Sequence, residues 1–240
     1  MRILTYNVAS GIGSDERFDW HRSCELIRSV NPDVAALQEV AVCRPNCPPV
    51  DYPAAVSAAL GMNGEYACTL SFANGGKFGN MVLSRFPLER TLKITLDLPK
   101  EIEPRKALVV RVLAPKPFYF ISTHLPYQGE CENDDPIRLA CVRQIQQTLE
   151  ANGWFPAILC GDLNNPPEAP AIRFLHEAWN VTNDLNEGLP TAKTGKFGWQ
   201  QIDYVCCRPQ DAFRVISNRR IEDCVASDHY PIVAEVDIAF

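Results

Sequence analysis

The chain has 240 residues, of which 46% are hydrophobic and 22% charged; it can bury a sizeable core and is neither disordered nor collagen-like. A chain of this length built on sheets is expected to form one unit over residues 1–240. Its formal charge of −6 argues against a generic nucleic-acid binder with a broad basic surface, but not against a nuclease, because a bound cation reverses the local sign of an acidic site.

The first segment, Arg2-Ile3-Leu4-Thr5-Tyr6-Asn7-Val8, is strand-like and has no secretion pattern ahead of it. No apolar stretch nears the roughly 18 residues of a membrane span. A cytoplasmic chain with no transmembrane segment and no obligate protein partner is therefore expected. Trp20, Cys24 and Ile27 recur at helical spacing, and Asn31-Pro32 ends that helix because proline disfavours helical backbone at its predecessor. Val34 to Gln38 reads as a buried strand, Pro45 to Pro53 as a loop, Pro53 to Leu60 as a short helix and Asn74-Gly75-Gly76 as a turn. Strand-like runs follow at Met81 to Phe86, Leu92 to Leu98, Lys106 to Leu113 and Phe118 to Ser122, with the short connections of antiparallel neighbours. Asp134 or Asp135 before Pro136 marks a helix start, and Ile137, Cys141, Ile145 and Leu149 form its apolar stripe up to Asn152-Gly153. Ala157 to Cys160 is a buried strand and Pro170 to Ala178 a helix. Ile202 to Cys206, Phe213 to Ile216 and Ile232 to Ile238 close the chain as strands. Strands outnumber helices and several are apolar on both sides, which suits an α/β fold with sheets face to face and helices outside.

Ten cysteines invite a disulfide reading. Cys24, Cys68, Cys141, Cys160 and Cys206 lie inside apolar runs, however, where a free thiol serves as a small core residue. Cys43 and Cys47 can close a small loop or form half of a zinc site, and no second Cys/His pair at matching spacing supports zinc.

Polar residues recur where the apolar strands end. Asn7 ends Thr-Tyr-Asn, Glu39 follows Ala-Ala-Leu-Gln, His124 follows Phe-Ile-Ser-Thr, and Asp162 and Asn164 follow Ile-Leu-Cys-Gly. Asp203 interrupts Gln-Ile-Asp-Tyr-Val, and Asp228-His229 precedes Tyr-Pro-Ile-Val. Any one of these is ordinarily a turn or cap residue. Ionisable groups beside a core are costly unless paired, hydrogen-bonded or metal-bound, so six such places together suggest one shared site.

In order, Tyr-Asn7-Val, Gln38-Glu39, Thr123-His124-Leu125, Gly161-Asp162-Leu163-Asn164, Ile202-Asp203-Tyr204 and Ser227-Asp228-His229-Tyr230-Pro231 resemble the motifs of the endonuclease/exonuclease/phosphatase superfamily. The resemblance runs from residue 5 to residue 233. It implies a four-layer α/β sandwich, two mostly antiparallel sheets packed face to face with helices on the outside and a site at one edge. It also implies Mg²⁺, or Mn²⁺, and a metal-dependent hydrolase of phosphate esters. Glu39 is implied as the first metal ligand and Asp228 as a ligand directly or through water. Asn7 offers its amide oxygen or holds Glu39 in place. His229 is implied to pair with Asp203, leaving its other nitrogen for the phosphate. Asp162 is the rival base, and Asn164 and His124 are donors to the phosphate oxygens. Asn80, in a glycine-rich segment, and Arg105 resemble substrate-binding residues of the family. The chemistry suits these types, since a phosphodiester repels nucleophiles and catalysis is mostly positioning and charge neutralisation. Hard oxygen ligands for Mg²⁺ do part of that.

Ala9, and Thr-His-Leu-Pro-Tyr in place of a Tyr-x-Pro-Asn segment, depart from the pattern of abasic-site endonucleases. The substrate class stays open between a small molecule, a lipid headgroup and nucleic acid. One alternative is a deoxyribonuclease-like endonuclease with Lys77, Arg105 and Lys196 along a groove; another is a binding protein that has lost catalysis, which the complete set of motifs disfavours.

Overall fold

Strand β1 (Arg2–Asn7) is buried from Ile3 onward, as a strand covered on both faces must be. It pairs antiparallel with β14 (Ile232–Ile238) and parallel with β2 (Val34–Val42). A parallel neighbour requires a crossover, which helix α1 (Trp20–Val30) supplies. Asp19 caps α1 by accepting from the His21 N–H, and Asn31 ends it in the left-handed conformation just before Pro32. The computed structural model describes residues 1–127, 136–186, 188–194, 198–222 and 225–239, except for the side chains at 90 and 91.

The first sheet is completed by β13 (Phe213–Arg220), β4 (Lys77–Ser84) and β3 (Asn63–Ser71), in the order β13-β14-β1-β2-β4-β3. The second contains β5 (Leu88–Thr95), β6 (Lys106–Val112), β7 (Phe118–His124), β8 (Ala157–Asp162), β12 (Asp203–Arg208) and β9 (Asn180–Val181), in the order β5-β6-β7-β8-β12-β9. Strands β7 and β8 are parallel, with α3 (Pro136–Asn152) as their crossover; apart from β1–β2, the other described pairs are antiparallel. A small hairpin, β10 (Ala192–Thr194) and β11 (Gly198–Gln200), stands beside them.

Three apolar clusters define four layers. Ile3, Val34, Val82 and Ala234 of the first sheet meet Leu108, Phe120, Ile158 and Val205 of the second. Leu4, Tyr6, Leu37 and Leu83 face α1 and α2 (Tyr52–Leu60) through Ile27 and Val56. Val109, Ile121 and Leu159 face α3 and α4 (Pro170–Ala178) through Ile145, Leu149 and Ile172. This is the expected sandwich.

Several local expectations are corrected. Strand β3 carried no signal, because it is an edge strand whose burial is confined largely to Ala67. Lys77 to Asn80 belong to β4 and not to the preceding turn, which Asn74, Gly75 and Gly76 form with Gly75 at φ 83°. Of the strands joined by short connections, β5, β6 and β7 are antiparallel neighbours as expected, whereas β4 and β5 lie in different sheets. The expected helix start at Asp134 or Asp135, and Lys196, lie outside the described residues. Cys24, Cys43, Cys47, Cys68, Cys160, Cys206 and Cys207 are free thiols; Cys24, Cys141, Cys160, Cys206 and Cys207 are buried, whereas Cys68 is only half-buried, its thiol donating to the Leu70 carbonyl. No described helix is long and apolar enough to cross a membrane.

One glycine sets how closely β7 and β8 approach. A Cβ on Gly161 would lie 2.1 Å from the Thr123 carbonyl oxygen, a backbone atom that cannot rotate away. Gly161→Ala is expected to destabilise the fold by about 3 kcal/mol, the upper part of the range for overpacking, seen as a lower urea midpoint. An unchanged midpoint would show that the sheet absorbs the methyl group.

Candidate active site

Strand register brings the polar residues to one end of both sheets. His124 pairs with Asp162 across β7 and β8, and Asp162 with Asp203 across β8 and β12, so the three form one row on the second sheet. Asn7 ends β1 opposite Gln38 on the first sheet. Between Leu37↔Met81 and Val40↔Gly79, strand β2 carries one residue more than β4, and this bulge holds Gln38 and Glu39. Glu39 there has φ 57°, in the left-handed region, which costs roughly 1–3 kcal/mol for a non-glycine residue. The Ser10 hydroxyl holds it by donating to the Glu39 carbonyl at 3.0 Å. Asn164, φ 48°, is held in the same region by its N–H, which donates to Asp162 Oδ1 at 3.0 Å.

Asn7 is fully buried and joins the two sheets. Its Oδ1 accepts from the Ala9 N–H at 3.1 Å, which fixes the orientation of the amide. Its Nδ2 therefore points the other way, donating to Glu39 Oε1 at 3.2 Å and Asp162 Oδ2 at 3.1 Å. Both amide hydrogens are then used, and the 3.4 Å to His229 Nε2 is a packing distance. The Nδ2 contact to Glu39 fits the expected role of holding Glu39 in place, and the second lone pair of the amide oxygen stays open to a cation.

His229 Nδ1 lies 2.9 Å from Asp203 Oδ2, and both side chains are buried. His229 Nε2 lies 3.7 Å from Asp162 Oδ2. Two hydroxyls set this pair. Ser227 Oγ donates to the Asn7 carbonyl and accepts from the His229 N–H. Thr191 Oγ1 accepts from the Ile202 and Asp203 N–H groups, while its carbonyl accepts from the Tyr230 N–H. Thr191 and Ser10 were not anticipated, since an isolated hydroxyl in a loop carries no periodic or motif signal.

The remaining expected residues divide. His124 is buried, its Nε2 3.4 Å from Asp162 Oδ2, and its Nδ1 is buried without a hydrogen-bond partner among the described residues. Asn164 Nδ2 donates to the Leu125 carbonyl at 3.0 Å and reaches His124 Nε2 at 3.1 Å. Asn164 thus stands against His124 and braces it. Asn80 lies on β4, and its Nδ2 donates to the Lys106 carbonyl, tying the two sheets together instead of sitting in a substrate loop. Arg105 pairs with Glu103 at 2.6 Å; it is nevertheless buried, with Nε lacking a hydrogen-bond partner among the described residues, and close enough to act on the charges of Glu39 and His124. Asp228 is exposed and acts on the charge of Glu39.

Charge is poorly balanced here. Burial, followed by the Asp203 charge, pushes the Asp162 carboxyl up to about 7. Burial also raises Glu39, against the opposing pull of His229 and Asn7. His229 is held well above the ordinary histidine range: burial opposes its charge, but Asp203 and Asp162 outweigh it. Burial and the cations of Arg105 and His229 hold His124 well below that range. Ligand atoms of Asp162, Asp203 and His229 lie within 4.8 Å of one another, compact enough for a metal ion. This cluster is not the ligand set expected, Glu39, Asp228 and Asn7. Asp203 Oδ1 is buried without a hydrogen-bond partner among the described residues, and an excess of oxygen donors whose charges lack compensation fits a hard divalent cation.

A family model described as the Endonuclease/Exonuclease/phosphatase family matches residues 4–229. No curated protein matches the sequence. Among solved structures, an endonuclease/exonuclease/phosphatase from Beutenbergia cavernae is similar with a TM-score of 0.82 and 23% identity, over 99% of this chain and 71% of that one. The human Nocturnin catalytic domain with bound sulfate gives 0.75 and 19%, over 100% and 93%. A mannosyl-6-phosphatase from Bacteroides thetaiotaomicron gives 0.73 and 16%, over 99% and 100%. At such identities these likenesses establish the fold and not the reaction.

Proposed function

Because the chain belongs to the endonuclease/exonuclease/phosphatase family, we propose that it hydrolyses a phosphate ester, diester or monoester, by metal-assisted in-line attack of water. One observation carries this reading: the Asn7 amide joins Glu39 of one sheet to Asp162 of the other, beside the buried Asp203–His229 pair. Asp203 fixes the ring of His229 and raises its basicity, so that His229 takes the proton of the attacking water when neutral or, when already a cation, offsets the charge growing on the phosphate. Asp162 is a second proton acceptor in the same cluster, 3.7 Å from His229 Nε2. His124 and Arg105 supply donors at the rim. Glu39, with Asp228, would hold the cation, Mg²⁺ or Mn²⁺. Bound there, the ion supplies the neutralisation of phosphate oxygens that an acidic pocket lacks. Asn7 then keeps Glu39 and Asp162 at fixed separation.

Turnover of bis(p-nitrophenyl) phosphate is expected to require added Mg²⁺ or Mn²⁺ and to stop in excess chelator. Full turnover in chelator would remove the metal from the mechanism. Glu39→Ala is expected to move the midpoint of a Mg²⁺ titration by about tenfold or more while the fold stays intact. An unmoved midpoint would show that the ion sits elsewhere, with the Asp162–Asp203–His229 cluster as the remaining candidate.

A further inference from the structure

Beside the catalytic pair lies a feature that the hydrolytic chemistry does not use. A cavity of about 390 Å³ is lined by Asp228 and His229 on one side and by Lys193, Trp199 and Tyr230 on the other. The register of the β10–β11 hairpin pairs Lys193 with Trp199, and the bridge between Ala192 and His229 sets the hairpin against the catalytic histidine. Trp199 stacks on Tyr230 with centroids 5.4 Å apart and planes 23° apart, and the Arg220 guanidinium covers the Tyr230 ring at 4.7 Å. Arg220 is itself anchored by donating to the Pro190 carbonyl and to Glu222. Arg220, Tyr230 and Trp199 thus form a stack braced at one end, while Trp199 at the other end is left 52% exposed. An indole held by stacking and left open at a cavity wall is a rigid aromatic platform for a ligand.

Resting on the hydrolase reading above, we propose that this cavity is a nucleobase subsite and that the substrate is a small nucleotide whose base lies against Trp199 while its phosphate lies at His229. The volume suits one nucleoside and falls in the usual range of small-molecule sites. A ring face offered by stacked aromatics recognises a base through its own π-face, irrespective of the base's hydrogen-bonding edge. An aromatic wall also suits a quaternary ammonium headgroup. Lys193 in the same lining disfavours that ligand by like charge, and it suits the acceptor-rich edge of a base or a second phosphate. The acidic total charge agrees with a compact substrate more than with a long duplex, whose binding draws on many cations.

The test compares the affinities of adenosine 5′-phosphate, ribose 5-phosphate and phosphocholine in Mg²⁺ by calorimetry and tryptophan emission, for the unaltered chain, Trp199→Ala and Trp199→Phe. Adenosine 5′-phosphate is expected to bind about tenfold or more tightly than ribose 5-phosphate, which has the same phosphate and no base. Trp199→Ala is expected to abolish that preference and Trp199→Phe to keep most of it, with melting curves showing both variants folded. Equal affinities for the two sugar phosphates in the unaltered chain, or a preference that survives Trp199→Ala, would overturn the subsite. A Trp199-dependent preference for phosphocholine would overturn it in favour of a cation-binding aromatic wall. In each case retained Mg²⁺-dependent turnover of the small diester leaves the catalytic reading standing; absence of that turnover in the unaltered chain is the separate failure of that reading.

Discussion

His229→Ala is expected to slow hydrolysis of an activated diester by roughly two to four orders of magnitude, the span that a positioned proton-transfer group contributes. Asp203→Asn is expected to come close to the same loss. The reason is the 2.9 Å contact between His229 Nδ1 and Asp203 Oδ2: a carboxylate can only accept there, so it sets the tautomer and sustains the positive ring. An asparagine can turn its amide nitrogen toward the ring and stabilise the opposite tautomer. The double variant should then be hardly slower than His229→Ala alone, because Asp203 has no route to the phosphate except through His229. The check is kcat/KM for the two single variants and the double, on protein shown to be folded by its melting curve. Losses that multiply would mean that the two residues act separately.

Asn7→Ala carries the second large expectation, a loss of roughly a hundred- to a thousandfold, comparable to removing an oriented donor from a transition-state site. One side chain reaches Glu39 at 3.2 Å and Asp162 at 3.1 Å, and without it the half-buried Glu39 and the buried Asp162 lose their shared donor. The variant should differ from Glu39→Ala in kind. Glu39→Ala weakens the metal titration, and saturating metal should restore much of its rate; in Asn7→Ala both carboxylates remain but are no longer held, so the rate at saturating metal should stay low. Recovery of Asn7→Ala to near the unaltered rate in excess Mg²⁺ would reduce Asn7 to a support for Glu39 alone.

The layers and most strands were legible because β1, β2, β7 and β8 are apolar on both faces, and only a strand between two layers needs that. Strand β3 was not, since its exposed residues and Gly64 leave no alternation to read. The site was legible as residue types at strand ends, but not as roles. Asn164 donates to the Leu125 carbonyl and lies 3.1 Å from His124 Nε2, contacts set by backbone positions that no side-chain pattern encodes. The strand was read as starting only at Met81 because the glycines before it mask the pattern, while pairing with β2 and β3 extends β4 back to Lys77 and takes in Asn80. Thr191 and Trp199 escaped for a related reason: each matters through a neighbour distant in sequence, Tyr230 in both cases.

The Asn7–Asp162 bond, 3.1 Å long, crosses between sheets whose backbones in such sandwiches stand about 10 Å apart. It acts as a gauge of that spacing. Half an ångström of swelling in the layer of Phe120, Ile158 and Val205 would pass through rigid strands to this bond, stretching it beyond hydrogen-bonding length while the sheets stay folded. Repacking of the interior, far from any phosphate, would therefore register in turnover well before it registers in a melting curve.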